Sequence, residues 1–310
     1  MFDTSKSVLQ KIDFALFDLH QVEVVVKRDD LIHPEVSGNK WRKLKYSIAQ
    51  AVHKKCEGIF TFGGAFSNHL VATAAACQNA GLKSIGFVRG DELNSESNDT
   101  LKRCAEYGMQ LVFISREEYA LRNDKVYVDE LKIEFPLYYS VPEGGSNYFG
   151  VIGCQEIWTE VTTEFDAVFV AQGTSTTSCG LLAGIPNSTK MHVVPVLKGF
   201  DAIGTMKSTL NWFCMDESFV DQLVENVVVH SDYHFGGYGK VTSELIEFIQ
   251  MCSKQLQLPL DPVYTAKAFF ALYKNIINGK LNGQKILFLH TGGLQGAVSY
   301  EKKLGVQFYV

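Results

Sequence analysis

The stretch VSGNKWRKLKY, residues 36–46, carries a lysine from a turn directly into the first turn of an expected helix. Ser-Gly-Asn bends the chain, and Lys40 follows immediately. The positive end of the helix and the cations Arg42, Lys43 and Lys45 would lower the pKa of the Lys40 amine. A neutral amine is a nucleophile for carbonyl groups. Taken alone, the stretch fits a solvated basic helix start better.

A second candidate is GTSTT, residues 173–177, which follows the apolar run DAVFVA and precedes SCGLLAG. A glycine that lets the backbone turn, followed by hydroxyl groups and free N–H groups at a helix N-terminus, suits a phosphate dianion. A helix merely capped by Thr or Ser explains the pattern equally well. The sequence contains neither G-x-G-x-x-G nor G-x-x-x-x-G-K-[ST], so the dinucleotide and P-loop signatures are absent.

Other chemically capable residues have weaker support. His230 and His234 are four residues apart, but SDY and FGGYG around them indicate a loop, and no third ligand follows at a recognisable spacing. We therefore predict no metal site. Ser178 and Cys179 lack a local nucleophile signature, and Cys179 is expected to be a small buried residue.

The bulk composition favours small-molecule chemistry in the cytoplasm. The chain has 310 residues, enough for two domains or one large α/β domain, and a net charge of −5 without a basic block, which argues against nucleic-acid binding. Its seven cysteines form no C-x-x-C pair, as in proteins of reducing compartments. We find no apolar segment typical of a signal peptide or a membrane span.

Eight short runs rich in β-branched or aromatic residues predict the strands that position these groups. They alternate with helical stretches such as SNHLVATAAACQNAG and NDTLKRCAEYG, which indicates βαβ units and a mostly parallel sheet. The runs are VEVVVK (22–27), GIFTF (58–62), SIGFV (84–88), QLVFI (110–114), DAVFVA (166–171), MHVVPVL (191–197), NVVVH (226–230) and KILFLH (285–290).

Glycine and hydroxyl residues concentrate where these strands end, in TFGGAFSNH, VPEGGSNYFG, AQGTSTTSCG and LHTGGLQG. Ligands of open α/β sheets bind outside the carboxyl ends of the strands, so these loops predict the site. The second to fourth runs are close in sequence and could form a smaller sheet. We expect a small α/β domain of residues 43–150 and a large domain of residues 1–42 and 151–310.

Six motifs in order resemble one enzyme family over nearly the whole chain. They are KRDDLIHPEVSGNKWRKLKY, GGAFSNH, GGSN, GTSTTSCGL, LDPVYTAKA and LHTGG, and together they resemble the pyridoxal-phosphate enzymes that include D-cysteine desulfhydrase and 1-aminocyclopropane-1-carboxylate deaminase. The resemblance implies the tryptophan-synthase-β-like fold (fold type II), with pyridoxal 5'-phosphate in a cleft between two α/β domains. We also expect a homodimer.

The resemblance gives roles to individual residues. Lys40 matches the lysine that carries the cofactor as a Schiff base, and Asn68 matches the residue that bonds the cofactor's ring oxygen. Ser67 matches a residue that meets the substrate, whereas Tyr238 and Tyr264 match two active-site tyrosines that act as acid, base or nucleophile. The phosphate cup matches Gly173, Thr174, Ser175, Thr176 and Thr177.

Two further positions bear on the reaction. Cyclopropane-opening deaminases of this family have a glutamate where this chain has Thr265, and a leucine where it has Thr291. A carboxylate keeps the pyridine nitrogen protonated, whereas a hydroxyl can pair with an unprotonated nitrogen, which is adequate when a thiolate leaves. We therefore predict a lyase that converts a small amino acid such as D-cysteine to pyruvate, sulfide and ammonia by β-elimination.

Three alternatives remain open. The chain could be a 1-aminocyclopropane-1-carboxylate deaminase, a cofactor-binding protein without turnover, or a nucleotide-binding α/β protein that uses GTSTT. The family pattern has glutamine before SN and arginine-glutamine after it, where this chain has Phe66, Val71 and Ala72. It also has glycines in place of Ser175 and Thr176. These departures leave the substrate open.

Overall fold

Ten strands form the framework of residues 2–309, which the computed structural model describes. The eight predicted runs are all strands, and two short strands, β1 and β6, were not predicted because they are brief and partly polar. The strands are β1 (Leu9–Ile12), β2 (Glu23–Lys27), β3 (Gly58–Gly64), β4 (Lys83–Arg89), β5 (Met109–Ile114), β6 (Tyr138–Ser140), β7 (Ala167–Gln172), β8 (Lys190–Pro195), β9 (Val227–Val229) and β10 (Lys285–Leu289).

Thirteen α-helices connect and cover the strands in residues 2–309, and both helices quoted from the sequence, α3 and α4, are present. The helices are α1 (Ala15–Leu19), α2 (Asn39–His53), α3 (Asn68–Asn79), α4 (Asp99–Glu106), α5 (Arg116–Ala120), α6 (Lys125–Glu134), α7 (Tyr148–Gln155), α8 (Thr176–Gly184), α9 (Ala202–Cys214), α10 (Glu217–Val224), α11 (Ser243–Leu256), α12 (Thr265–Ile277) and α13 (Leu294–Leu304). None of these helices has the length and apolar character needed to cross a membrane.

The strands form two sheets. The larger has six strands in the order β1-β2-β10-β7-β8-β9, and the smaller has four in the order β5-β4-β3-β6. All neighbours are parallel except β1, which pairs antiparallel with β2. The second to fourth runs do form a sheet of their own, as predicted, together with β6.

Helices cover both faces of the larger sheet, which explains the continuous apolar runs of its central strands. Every residue of β7 is buried. Phe169 packs into one hydrophobic cluster, whereas its neighbours Val168 and Val170 pack into the cluster on the opposite face. This alternation follows from the two-residue period of a strand. The central strands therefore hold the loops at their carboxyl ends in fixed positions.

Helix α2 is anchored by a buried ion-pair network. The Arg42 guanidinium donates two hydrogen bonds of 2.7 Å to the Asp29 carboxylate and two of 2.8 Å to Glu160. Lys27, at the end of β2, donates to Glu160 at 2.7 Å. The network fixes the first turns of α2 relative to the larger sheet. The predicted domain boundary after residue 42 lies inside α2, and the division into domains stays a prediction.

Candidate active site

The turn before Lys40 has a backbone that only glycine adopts readily. Gly38 has φ of +60°, and a Cβ atom there would lie 1.9 Å from the Thr291 carbonyl oxygen. The Asn39 N–H group donates to the same oxygen at 3.3 Å. The glycine thus brings the start of α2 against the loop after β10, so the residues just before Lys40 contact Thr291, which is distant in sequence.

Asn39 links the lysine to the predicted phosphate loop. Lys40 Nζ donates to Asn39 Oδ1 at 3.0 Å, and Asn39 Nδ2 donates to Thr177 Oγ1 at 2.9 Å. The asparagine therefore orients both groups at once. This role of Asn39 was not predicted from the sequence, because its contact with Thr177 spans 138 residues.

The Lys40 amine has an environment that favours its neutral form. Burial lowers the pKa of Lys40 to about 7, and the Lys43 ammonium adds to this effect, whereas Asp261 opposes it. Arg42 and Lys45, which were also expected to lower this pKa, are each paired with a carboxylate: Arg42 with Asp29 and Glu160, and Lys45 with Glu156. Lys43 is thus the relevant neighbouring cation, and the amine is available as a nucleophile near neutral pH.

The GTSTT segment forms the expected junction between a strand and a helix. It leads from β7 into α8, and Ser175 adopts a left-handed backbone with φ of +62°. Gln172 donates to Ser175 Oγ at 2.7 Å, and Thr176 Oγ1 donates to Ser146 Oγ at 3.0 Å. No side chain caps α8, and the Ser178 hydroxyl is buried without a hydrogen-bond partner in the described chain. The first turn is therefore open to an anion.

Lys43 supplies a cation to this region. Its side chain is only 4% exposed, and it has no hydrogen-bond or ion-pair partner within residues 2–309. Burial lowers the pKa of Lys43, and the Cys154 thiol of α7 and the Cys179 thiol of α8 oppose this shift. A phosphate at α8 would favour the charged form of Lys43. From the sequence, Lys43 was expected only as a cationic neighbour of Lys40, since spacing cannot reveal which lysine of a basic helix lacks an acidic partner.

Ser67 and Asn68 lie at the start of α3, after β3. Ser67 is the N-cap of α3, and its Oγ accepts a hydrogen bond from the Leu70 N–H group at 3.4 Å. A Cβ atom on Gly296 would lie 3.3 Å from Asn68 Oδ1, so the asparagine side chain reaches across to α13. The two residues therefore occupy the side of the cleft formed by the smaller sheet.

The two predicted tyrosines lie together on the opposite side. Tyr264 donates a hydrogen bond to the Tyr238 hydroxyl at 3.4 Å, and their ring centroids are 6.0 Å apart. Burial raises the pKa of both hydroxyls, so both are protonated at neutral pH. A Cβ atom on Gly173 would lie 3.1 Å from the Tyr264 ring, which puts this ring beside the phosphate loop.

A cavity of about 390 Å³ brings the two sides together. Asn68 and the exposed Phe66 line it from the smaller sheet, and Tyr238, Tyr264 and Tyr300 line it from the larger one. Ser67 adjoins this lining. Of the three departures from the family pattern around SN, Phe66 faces the cavity, whereas Val71 and Ala72 are buried in the core and do not shape it.

Thr265 is engaged with Asp261. Its hydroxyl donates to Asp261 Oδ1 at 2.7 Å and accepts from the Asp261 N–H group at 2.8 Å. The Asp261 carboxylate also accepts bonds from the N–H groups of Val263, Tyr264 and Thr265 at 2.9, 2.9 and 2.7 Å. To donate to a cofactor nitrogen, the hydroxyl would have to leave this carboxylate.

The histidines quoted above are used structurally. His230 bonds His192 at 2.8 Å, and both rings stack with Phe169. His234 Nδ1 accepts from the Gly236 N–H group at 2.9 Å. Residues 2–309 contain no group of three or more His, Cys, Asp or Glu side chains arranged to hold a metal ion. Cys179 is buried, as expected.

These features fit pyridoxal phosphate, which carries an aldehyde and a phosphate. The amine of Lys40 suits the aldehyde, and the open terminus of α8 with the partnerless Lys43 suits the phosphate. Asn39 connects the two places by hydrogen bonds. The aromatic face of Tyr264 beside Gly173 suits the ring.

Comparisons with known proteins agree with this geometry. A protein of Pyrococcus horikoshii with the provisional name of a 1-aminocyclopropane-1-carboxylate deaminase is 34% identical over 91% of this chain and 88% of its own. D-cysteine desulfhydrase of Klebsiella pneumoniae is 28% identical over 91% of this chain and 90% of its own. The solved structure of an ACC deaminase homologue superposes with a TM-score of 0.78 at 29% identity, covering 96% of this chain and 93% of the other.

More distant solved structures share the fold alone. Serine racemase from Dictyostelium discoideum superposes with a TM-score of 0.64 at 14% identity, covering 93% of this chain and 92% of its own. The family model described as "Pyridoxal-phosphate dependent enzyme" matches residues 13–292. Because this family binds pyridoxal phosphate, the match argues against the alternative that the chain is a nucleotide-binding α/β protein. The chain belongs to the pyridoxal-phosphate-dependent enzymes of fold type II.

Proposed function

We propose that this enzyme is a lyase that eliminates a β-substituent from a small amino acid, as a D-cysteine desulfhydrase does. With D-cysteine, the Cα proton is removed, the Cβ–S bond breaks, and the thiolate leaves with the bonding electrons. Hydrolysis of the C–N bond by one water then gives pyruvate and ammonia beside the sulfide. Pyridoxal phosphate, when bound, supplies the electron withdrawal that makes the Cα proton removable.

This proposal rests mainly on the residues and hydrogen bonds at the N-terminus of α12. Thr265, not a carboxylate, follows Tyr264, and the nearby Asp261 is saturated by three N–H groups and the Thr265 hydroxyl. With these four hydrogen bonds, the Asp261 carboxylate is not free to pair with a protonated pyridine nitrogen nearby. No free carboxylate in this turn could hold such a proton. A thiolate leaves without strong electron withdrawal, whereas opening a cyclopropane ring requires more.

The remaining site residues receive proposed roles. Lys40 holds the cofactor covalently and, as a neutral amine, takes up the Cα proton. Ser67 and Asn68 bind the substrate and the cofactor's ring oxygen from the smaller sheet, and residues 173–177 with Lys43 bind the phosphate. Tyr238 and Tyr264, both protonated, are placed to donate a proton to the departing group. Thr291 adjoins the ring end of the site.

Relatives favour a second candidate. The Pyrococcus horikoshii protein has the name of a deaminase of 1-aminocyclopropane-1-carboxylate, and a relative in Arabidopsis thaliana is named as bifunctional for D-cysteine and this compound, at 30% identity over 88% of this chain and 73% of its own. A deaminase would convert the cyclopropane to 2-oxobutanoate and ammonia. The two activities differ in product, so one assay separates them.

The experiment compares the two substrates on the holoenzyme at matched concentrations, following sulfide, keto acid and ammonia. We expect kcat/KM for D-cysteine to exceed that for 1-aminocyclopropane-1-carboxylate by at least about tenfold. Thr265→Glu should narrow this ratio, and Thr265→Gln, of equal size without charge, should not. A faster reaction of the cyclopropane in the unaltered enzyme would refute the proposal. Borohydride reduction and peptide mass analysis should locate the cofactor on Lys40 and not on Lys43.

We further propose that the protein is a cytoplasmic homodimer. Each subunit would have the large domain of residues 1–42 and 151–310 and the small domain of residues 43–150. All seven cysteines are free, which suits a reducing compartment. Four large apolar side chains of neighbouring elements are exposed and would suit a subunit interface: Tyr148, Trp212, Met215 and Phe219.

A further inference from the structure

Helix α12 contains a buried lysine to which neither the motifs nor the proposed mechanism give a role. Lys267 has no exposed surface, and its Nζ donates to the carbonyl oxygens of His234 and Gly237 at 2.9 and 2.8 Å. Hydrogen bonds from an ammonium group are stronger than those between neutral groups. One charged nitrogen thus binds two backbone carbonyl groups of the segment that contains Tyr238.

This segment, residues 234–239, has an unusual backbone. Four of its residues have positive φ: Phe235 (+53°), Gly236 (+93°), Gly237 (+121°) and Gly239 (+66°). Glycines adopt such angles easily but also leave them easily, so a run of this kind needs external contacts to keep one conformation. Lys267 supplies two of these contacts from the helix below.

The contact matters because of what the segment carries. Tyr238 follows Gly237, which is bound to Lys267. Although its hydroxyl is surrounded by protein, 54% of the surface of the whole residue is exposed, so packing alone holds it weakly. Its hydroxyl lies 3.4 Å from that of Tyr264, the N-cap residue of α12. Lys267 lies three residues after Tyr264. The first turn of α12 therefore sets the position of Tyr264 directly, whereas it reaches the backbone that carries Tyr238 through Lys267.

We propose that Lys267 is a positioning residue, whose two hydrogen bonds to the 234–237 backbone hold the Tyr238 hydroxyl against Tyr264 for proton transfer. The inference rests on the proposed role of Tyr238. Lys267 touches neither substrate nor cofactor in this account. Substitution of Lys267 should therefore lower kcat only because the Tyr238 hydroxyl is no longer held in position.

The charge of Lys267 is supported at neutral pH. Burial lowers the pKa of Lys267 to about 8, and the Asp261 carboxylate opposes this shift. The ammonium form therefore predominates at pH 7. A second contact, between the rings of Phe235 and Phe270 at 5.0 Å, attaches the start of the segment to α12. Because this ring contact lies three residues before Tyr238, loss of Lys267 should free the tyrosine without releasing the whole segment.

The test is a double-mutant cycle on the holoenzyme with Lys267→Met and Tyr238→Phe. Lys267→Met should lower kcat about tenfold or more, with KM and the absorbance of bound cofactor little changed. In the Tyr238→Phe background the same substitution should lower kcat less than about threefold. Lys274→Met changes a half-buried lysine two turns further along the same helix, which pairs with Glu244 at 3.6 Å; it is the matched control and should leave kcat unchanged in both backgrounds.

Lys267→Arg, which keeps the charge, should recover part of the loss, and Lys267→Gln replaces Lys267→Met in the cycle if that variant does not fold. Amide hydrogen exchange should increase within residues 235–240 in Lys267→Met. Equal losses of kcat in both backgrounds, or a loss of cofactor that matches the loss of activity, would overturn the inference and leave the proposed function intact. A wild-type kcat in Tyr238→Phe alone would remove Tyr238 from the mechanism, and the inference with it.

Discussion

Helices α8 and α12 both begin with a threonine at the cleft, but their first turns are neutralised differently. No side chain caps α8, and Ser178 in its first turn has a buried hydroxyl without a partner in the described chain. In α12, the Asp261 carboxylate accepts three N–H groups and the Thr265 hydroxyl. A helix N-terminus attracts an anion, which is internal in α12 and must be external in α8.

The neighbouring charges strengthen this contrast. Lys43, which lacks an acid within residues 2–309, lies beside α8, whereas Asp261 belongs to the α12 terminus. The two act on Lys40 in opposite directions, Lys43 lowering and Asp261 raising its pKa. Two helix termini of the same chemical type can thus suit different groups, since α12 has its own carboxylate, whereas α8 leaves its N–H groups to an anion from outside.

The largest expected effect, on cofactor affinity, comes from giving the first turn of α8 a carboxylate of its own, as α12 has. Thr177→Asp places a carboxylate in the first turn, where it would repel the cofactor's phosphate. We expect the dissociation constant of pyridoxal phosphate to rise on the order of 100-fold or more, equal to about 2.7 kcal/mol. Equilibrium dialysis of the cofactor measures this change.

Thr177→Asn is the control, because it has nearly the same size and can still accept the bond from Asn39. It should lose less than about tenfold in affinity. Equal affinity of Thr177→Asp and the unaltered protein would show that phosphate does not bind at α8.

The second-largest expected effect comes from removing the Asp261 carboxylate, which binds the N–H groups in the first turn of α12. Asp261→Ala leaves three buried N–H groups of the first turn without their acceptor, so the free energy of unfolding should fall by about 2 kcal/mol. Urea denaturation of the protein without cofactor measures it. Asp201→Ala removes an exposed cap of α9 that accepts one N–H bond from Gly204 at 2.9 Å, and it should cost less. A larger loss in Asp201→Ala would contradict the special role of the α12 cap.

The contrast between the termini was only half predictable from the sequence. Strand β7 is an apolar run, and a glycine with hydroxyl residues after such a run marks a helix start, so residues 173–177 could be identified. The position of Thr265 beside Tyr264 was likewise visible. The bond between Thr265 and Asp261 was not, because a hydroxyl can point to either side of a helix start.

Long-range pairing was the other limit. A cluster of cations in residues 40–45 predicts a low pKa for Lys40, but not which cation causes it. Arg42 meets Glu160 across 118 residues, and Asn39 meets Thr177 across 138. Such partners depend on how the two sheets are placed, which periodicity does not encode.

The smallest expected effect is the shift in the pKa of Lys40 when the charge of Lys43 or of Asp261 is removed. The neutral amine reacts with pyridoxal, which lacks the phosphate, so the rate in the protein without cofactor should rise with pH through about 7 and then level off. Lys43→Met removes a positive charge, which raises the pKa of Lys40, so the midpoint should move to higher pH by on the order of one unit. Asp261→Asn removes a negative charge and should move it lower.

Lys45→Met serves as the control, since Lys45 is already paired with Glu156 and its removal should shift the midpoint less than that of Lys43. Pyridoxal is the informative probe because it separates the charge felt by the amine from the binding of phosphate at α8. If the Lys43→Met and Asp261→Asn midpoints moved in the same direction, the two termini would not act oppositely on Lys40, and the electrostatic contrast between α8 and α12 would fail even if both helices kept their caps.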